Sequence, residues 1–213
     1  GPAGEAIKSE LASSVPGLPQ AEPSLKITYV QPKDFTGLLR YVRNILVVTI
    51  DPTAYTKVSV GYENNVWARG QVVVSLKAPN TESIVEYSKT HEKALVNFFV
   101  KVEMNRAIEQ LQKEYSMVVM DNLKSDLNVM LNAPANFTYY KDTTDFFWSS
   151  NNANTGRMDL IVYTFPYTDP NTFTEEYLVA KRDSVLKANL PGSFPGSYMQ
   201  TETRAGVEDT PIT

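Results

Sequence analysis

The feature that most constrains the fold is the stretch between Pro79 and Pro134, which contains no proline and no glycine. Apolar or aromatic residues recur through it mostly every three or four positions, which predicts amphipathic helix. A single helix of about 48 residues at ~1.5 Å per residue would reach roughly 70 Å, longer than a compact domain. We therefore expect two helices, separated near residues 116–121, the second running to about Leu131. The recurring positions are Ile84, Tyr87, His91, Leu95, Phe98, Val102, Ile108, Leu111 and Tyr115.

The segment before this helical region predicts a short helix over residues 4–14 and four strands. Pro16, Pro19 and Pro23 hold an extended connector. Alternation over residues 25–30 places Leu25, Ile27 and Tyr29 on a buried face. Residues 45–50 are apolar almost throughout, as in a central strand covered on both faces. The remaining strands are expected over residues 58–62 and 71–77, joined by a polar loop.

The last third of the chain predicts strand pieces over residues 137–141, 145–148 and 158–165, and a final strand over residues 198–203. Between these last two strands, Thr172-x-x-Glu175 reads as a capping box that opens a helix. Ser83-x-x-Glu86 is a similar capping box at the start of the central helical region. Pro191 and Gly192 end the last helix.

The two halves share an order of parts: a helix that ends at a proline, a strand, an aromatic stretch, an arginine-led apolar strand, and Pro-Asn-Thr opening a helix. We interpret this order as a diverged duplication, which predicts an α+β fold in two related lobes. Each lobe is expected to have a largely antiparallel sheet with helices on one face. The predicted divisions are residues 1–79, a long helical segment over 80–131, and residues 132–213. The predicted core comprises Ile27, Ile45, Val47, Val72, Val74, Leu95, Phe98, Leu160 and Val162.

Composition excludes several classes of function. The absence of cysteine excludes disulfides, thiol catalysis and thiolate zinc sites. A single histidine, His91, excludes histidine-pair metal motifs, and we expect it to be a partly buried helix residue. The net charge of −4 argues against a basic nucleic-acid binder. No glycine-rich phosphate loop occurs, so no cofactor is expected.

Carboxylate pairs are the remaining option for acid–base catalysis. The visible groupings are Glu175 with Glu176, Asp142 with Asp145, and Glu103 with Glu109. Glycoside hydrolysis needs two carboxyl groups about 5–10 Å apart across a cleft. Sequence proximity does not provide that arrangement, so we interpret these residues as solvated charges and predict no catalytic residue.

Two loops set a tryptophan beside asparagines and are the best candidates for ligand binding. One carries Trp67 and Arg69, and the other carries Trp148, Asn151 and Asn152. An aromatic face with nearby amides is a common way to bind a sugar. The alternative is that both tryptophans anchor the core and the asparagines serve turns. Similarly, Arg182 and Asp183 predict a structural ion pair between helix and sheet rather than an anion site.

Several ordered strings resemble one known family. The chain is similar to the Bacteroidetes domain of unknown function 4837, whose members are envelope lipoprotein-like proteins without assigned activity. The resemblance extends over the whole chain, and members continue beyond it at both ends. The strings are Val15-Pro16-Gly17-Leu18-Pro19-Gln20, Arg43-Asn44-Ile45-Leu46, Trp67-Ala68-x-x-Gln71, Asp145-Phe146-Phe147-Trp148, Val162-Tyr163-x-x-Pro166-Tyr167, Lys181-Arg182-Asp183-Ser184-Val185 and Gly196-Ser197-Tyr198-Met199-x-Thr201.

This resemblance implies an exported protein in the cell envelope, in the periplasm or at the outer membrane. It implies membrane attachment only through a lipid anchor outside this chain. The expected role is non-enzymatic, structural or in interaction with an envelope protein or glycan; the alternative is a glycan-binding module or carbohydrate-active enzyme that uses the aromatic loops. Envelope proteins of this group carry O-glycans at Asp-Ser/Thr motifs, which makes Thr143 and Ser184 candidate acceptors.

Overall fold

The computed structural model describes residues 1–18 and 20–203, so that Pro19 of the predicted connector lies outside the described residues. Two compact units make up the chain, Gly1–Met104 and Asn105–Thr213. The boundary falls within the helix α3, Ala94–Lys113. Helices and strands are mixed in both units, which confirms the predicted α+β class.

The first unit is built around a mixed three-stranded sheet. Its elements before α3 are α1 (Pro2–Leu11), β1 (Asn44–Ile50), β2 (Ser59–Asn64), β3 (Val72–Ala78) and α2 (Thr81–Thr90). The strand order is β1-β3-β2, with β3 parallel to β1 and antiparallel to β2. The core joins alternate residues of β3 to the apolar stripes of the helices, because both present apolar side chains on one face. Its members are Ala3, Ile7, Leu11, Val72, Val74, Leu76, Ala78, Ile84, Leu95, Val96 and Phe99.

Two strand predictions in this unit are wrong. β3, not β1, is the central strand, and the side chains of Val48 and Ile50 in β1 are exposed. Residues 25–30 form no strand, since they have no partner strand to supply a ladder of hydrogen bonds. Consequently Tyr29 is 80% exposed and Ile27 is also exposed, whereas Leu25 packs against the core.

The long helical region contains three helices rather than two. A separation is present, but at residues 114–116 rather than at the predicted 116–121; α4 then covers Met117–Leu127 and ends before the expected Leu131. A second break at residues 91–93, not predicted, includes Lys93 at φ 61°. The first turn of α3 is satisfied from α1, because Glu10 Oε1 accepts a hydrogen bond from the Leu95 N–H at 2.8 Å.

Both predicted capping boxes have the wrong first residue. Asn80 caps α2 by accepting from the Ser83 N–H at 2.8 Å. Thr174 caps α5, Glu175–Asn189, by accepting from the Tyr177 N–H. In both cases the chain places the capping oxygen at the residue that precedes the first helical turn, where extended backbone brings it over the free N–H groups.

The second unit contains an antiparallel meander of β4 (Tyr139–Thr143), β5 (Phe146–Ser150) and β6 (Asp159–Tyr163). Its core joins β5 to α4, whose cap Ser116 is buried and donates to the Phe137 carbonyl at 2.6 Å. Residues 198–203 form no strand; Tyr198 makes only an isolated bridge with Pro191. The buried members of the core are Val119, Leu123, Ala133, Phe137 and Phe147.

The predicted core is largely confirmed. Ile45, Val72, Val74 and Leu95 are buried, and Val47, Phe98, Leu160 and Val162 are half-buried. The two sheets differ in strand order, 1-3-2 in one unit and a meander in the other. The duplication therefore stays a prediction.

Candidate interaction site

A buried glutamine organises the most distinctive surface of the first unit. The side chain of Gln71 is 1% exposed and lies directly before β3. Its Nε2 donates to the carbonyl oxygens of Arg40 and Val42, both at 2.6 Å, and its Oε1 accepts from the Trp67 N–H at 3.0 Å. One buried amide thus joins two loops. We call residues 37–42 the clamped turn.

The clamped turn presents two apolar side chains to solvent. Residues 37–41 form a 3₁₀ helix, in which residues three apart lie on the same face. Leu38 and Tyr41 are therefore neighbours, and they are 85% and 62% exposed. No other large hydrophobic side chain among the described residues is more exposed than Leu38. Because Gln71 donates hydrogen bonds to the backbone carbonyls of Arg40 and Val42, these side chains project from a backbone that is held in place.

The loop that contains Trp67 supports this turn. The Trp67 ring packs edge-on against Phe35, with ring centroids 5.6 Å apart, and remains 38% exposed. Asn65, at φ 58°, accepts from the Gly70 N–H at 2.6 Å, so this amide serves the loop itself. Arg69 is exposed. Trp67 and Arg69 as ligand-binding residues stay a prediction.

In the second aromatic loop, the polar groups of Trp148 and Asn151 form hydrogen bonds with neighbouring residues of the protein. Trp148 is half-buried and donates from Nε1 to Asp159 Oδ1 at 3.0 Å, and Asp159 also pairs with Arg157. Asn151 accepts from the Ala153 and Met158 N–H groups. Asn152 adopts φ 47°. These bonds match the turn-forming interpretation of the asparagines, and the ligand-binding role of this loop, which lies in the other unit from Trp67, stays a prediction.

His91 differs from its expected setting. It is exposed and ends α2 as its C-terminal cap, with its ring stacked on Tyr87 at 4.2 Å between centroids. The prediction of a partly buried helix residue was wrong because the helix ends there. The described residues contain no group of three or more His, Cys, Asp or Glu side chains that could hold a metal ion.

A cavity of about 420 Å³ in the second unit is lined by three carboxylates, those of Asp126, Asp142 and Asp145. It lies between α4 and the β4–β5 turn, with Leu123 and Phe147 among its lining residues. Burial, together with a hydrogen-bonding contact to Asp126 and its negative charge, raises the pKa of Asp142. Asp142 and Asp145, which the sequence groups together, both line this cavity; Asp126 was not predicted, because only the packing of α4 on the sheet brings it there. The available signal was the spacing of Asn122 and Asp126, which places both on one helix face.

The predicted Arg182–Asp183 pair is present, at 3.0 Å, but its setting differs. It is half-buried and connects α5 to the segment at Thr201 rather than to the sheet, because residues 198–203 form no strand. Burial raises the pKa of Asp183, but the hydrogen bonds from Thr201 and the Arg182 guanidinium outweigh it and hold this pKa below its usual range. These contacts agree with the expected structural role, which stays a prediction.

Both candidate acceptors of O-glycans have exposed side chains in the structure. Thr143 ends β4, and its hydroxyl group lies 3.4 Å from the Phe146 carbonyl oxygen. Ser184 lies on the solvent side of α5. Modification of either residue stays a prediction.

Comparison with known proteins places two family models along the chain. Residues 116–213 match a Domain of unknown function (DUF4837), and residues 1–112 match another, Domain of unknown function (DUF8532). The resemblance to the first family is thus supported over the second half and not over the whole chain. Neither curated proteins nor solved structures show a significant match. Among the described residues, no helix is both long enough and apolar enough to cross a membrane. Because the DUF8532 match covers more than half of the residues of this chain, the chain belongs to the DUF8532 family.

Proposed function

We propose that this chain is a non-enzymatic interaction domain of a Bacteroidetes cell-envelope lipoprotein, and that it binds through the clamped turn. The observation that carries the proposal is the projection of Leu38 and Tyr41 from a backbone fixed by Gln71. Exposed apolar side chains on a rigid base are typical of binding surfaces, since less freedom is lost on binding. The resemblance to DUF4837 supports the envelope location.

The carboxylate pair disfavours the enzymatic alternative. Asp126 and Asp142 are in hydrogen-bonding contact, so this pair is closer together than two carboxyl groups that flank a substrate. Glycosidases hold their two carboxyl groups about 5–10 Å apart.

Binding of a glycan at Trp67 is the second candidate function, because the Trp67 side chain is 38% exposed and the nearby Arg69 is also exposed. A fluorescence titration with oligosaccharides, repeated on Trp67→Ala, tests it.

The location is tested on the full native protein in its own cells. We expect incorporation of labelled palmitate and recovery in the membrane fraction. A protein that takes up no label and stays in the soluble cytoplasmic fraction contradicts the envelope proposal.

The surface is tested in the same cells with a photo-crosslinking residue in place of Leu38. We expect a covalent adduct with a macromolecule, either protein or lipid. The matched control carries the same residue in place of Phe194, a 77% exposed side chain of the second unit. Equal adduct formation at both positions, or none at either, contradicts the proposed role of the clamped turn.

A further inference from the structure

We infer that the clamped turn inserts into the surface of an anionic lipid bilayer; this inference rests on the proposed function and names the partner of that surface. It adds a direct membrane contact to the expected lipid anchor. Three features of the turn support it: the shape of the apolar tip, the charge around it and the rigidity of its base.

The protruding shape of the turn favours a deformable partner such as a lipid bilayer. Leu38 and Tyr41 protrude side by side from one face of a short 3₁₀ helix, and both side chains are largely exposed. A protruding leucine gains most where the partner closes around it, as acyl chains do. Tyrosine has an apolar ring with a polar hydroxyl, and it is enriched where membranes meet water. Together they suit shallow insertion at the headgroup level.

The charge around the tip favours an anionic surface. Residues 24–42 contain three basic residues, Lys26, Lys33 and Arg40, and one acidic residue, Asp34, in a chain whose net charge is −4. All three basic side chains are exposed. Each basic residue near an anionic bilayer contributes about 1 kcal/mol of attraction, and this attraction weakens as salt rises. The segment that carries the tip is therefore net basic in an otherwise acidic chain, which favours its contact with an anionic surface.

The base keeps the tip in place. Gln71 donates to the carbonyl groups of Arg40 and Val42, so these two carbonyls are satisfied by the protein and need no water when the tip enters the interface. Unsatisfied carbonyl groups would oppose insertion, because they lose water without replacement. The clamp thus lowers the cost of insertion without contacting the lipid.

Co-sedimentation with vesicles tests the inference on the full chain. The vesicles contain phosphatidylcholine alone or mixed with phosphatidylglycerol, at about 0.1 M and about 0.5 M salt. We expect binding to the mixed vesicles at low salt, with little binding to phosphatidylcholine alone. Leu38→Ser combined with Tyr41→Ser should weaken binding by more than roughly tenfold. Lys33→Gln and Arg40→Gln should each weaken it roughly fivefold.

The matched control is Phe194→Ser, which removes an equally exposed aromatic side chain from the second unit. It should bind as the unchanged protein does, and circular dichroism should show that every variant keeps its fold. Absence of binding to anionic vesicles, or equal binding by the double variant, overturns the inference. If crosslinks from position 38 then reach a protein, the interaction proposal stands while the lipid partner is rejected.

Discussion

The central strands of the two units, β3 and β5, are both mostly buried, but the types of side chain that are buried differ. β3 is buried with valines, a leucine and an alanine, which need no hydrogen-bond partners for their side chains. β5 is buried with two phenylalanines and with Ser149 and Ser150, whose hydroxyl groups donate to the carbonyls of Tyr139 and Met158. The burial of β3 therefore depends on apolar area, whereas that of β5 also depends on satisfied polar groups. Burial alone does not say which type of interaction stabilises a strand.

The largest expected effect tests the apolar strand. Leu76→Ala should lower the free energy of unfolding of the first unit by about 3 kcal/mol, because Leu76 is fully buried and its removal leaves a cavity. Each unit contains one of the two tryptophans, so fluorescence of a Trp148→Phe background follows the first unit alone in urea. Val60→Ala, on an exposed edge strand, should lower the same free energy of unfolding by less than about 1 kcal/mol. Equal decreases for the two variants would contradict the idea that burial of β3 stabilises the first unit.

The second effect concerns the polar group at the start of β3. Gln71→Met keeps the volume of the side chain but removes its donors, which leaves the Arg40 and Val42 carbonyls without their partner. We expect the free energy of unfolding of the first unit to fall by about 2 kcal/mol and amide hydrogen exchange over residues 38–42 to become faster. The exposed Gln31→Met provides the comparison. Unchanged exchange in Gln71→Met would show that the turn is held by other contacts.

A smaller effect tests the polar strand. Ser149→Ala removes the donor to the Tyr139 carbonyl at 3.0 Å and should lower the stability of the second unit by about 1 kcal/mol. In a Trp67→Phe background, Trp148 fluorescence reports this transition. Ser125→Ala, on the exposed side of α4, should leave it unchanged. If both substitutions are neutral, β5 is stabilised by its aromatic residues alone.

The smallest effect is a change with pH. The raised pKa of Asp142 means that the folded second unit binds a proton more tightly than the unfolded chain does. Its stability should therefore fall as pH rises from about 4, the ordinary value for aspartate, through the raised pKa. Asp142→Asn should remove this decline and give a higher Tm at neutral pH. A Tm series from pH 3 to 8, with Asp121→Asn as the control, tests this; an unchanged decline in Asp142→Asn would assign it to another group.

Local signals predicted the α+β class, most strands and the break before α4. They predicted β2 and β3 because two runs of strand-forming residues are joined by a short polar loop. They failed where a distant partner decides the outcome. The alternating residues 25–30 form no strand without a neighbour, and β1 resembles a central strand by composition but lies at an edge.

The candidate site shows the same limit. Trp67 was found because an aromatic residue in a polar loop stands out in any sequence. The roles of Gln71 and Leu38 were missed, because a buried glutamine and an exposed leucine are recognisable only after burial is known. Asp126 and Asp142 lie on separate elements, so their contact depends on how α4 packs on the sheet. Tertiary contacts create these features, and no spacing rule contains them.

The parallel pairing of β1 with β3 has a consequence for synthesis on the ribosome. Asn44 pairs with Val72 and Ile50 with Ala78, so β1 emerges from the ribosome before its partner strand does. At typical rates of translation the delay is on the order of a few seconds. During that time the apolar run Ile45-Leu46-Val47-Val48 has no sheet to join and is a target for chaperones. The nascent chain is therefore exposed to aggregation between the emergence of β1 and that of β3.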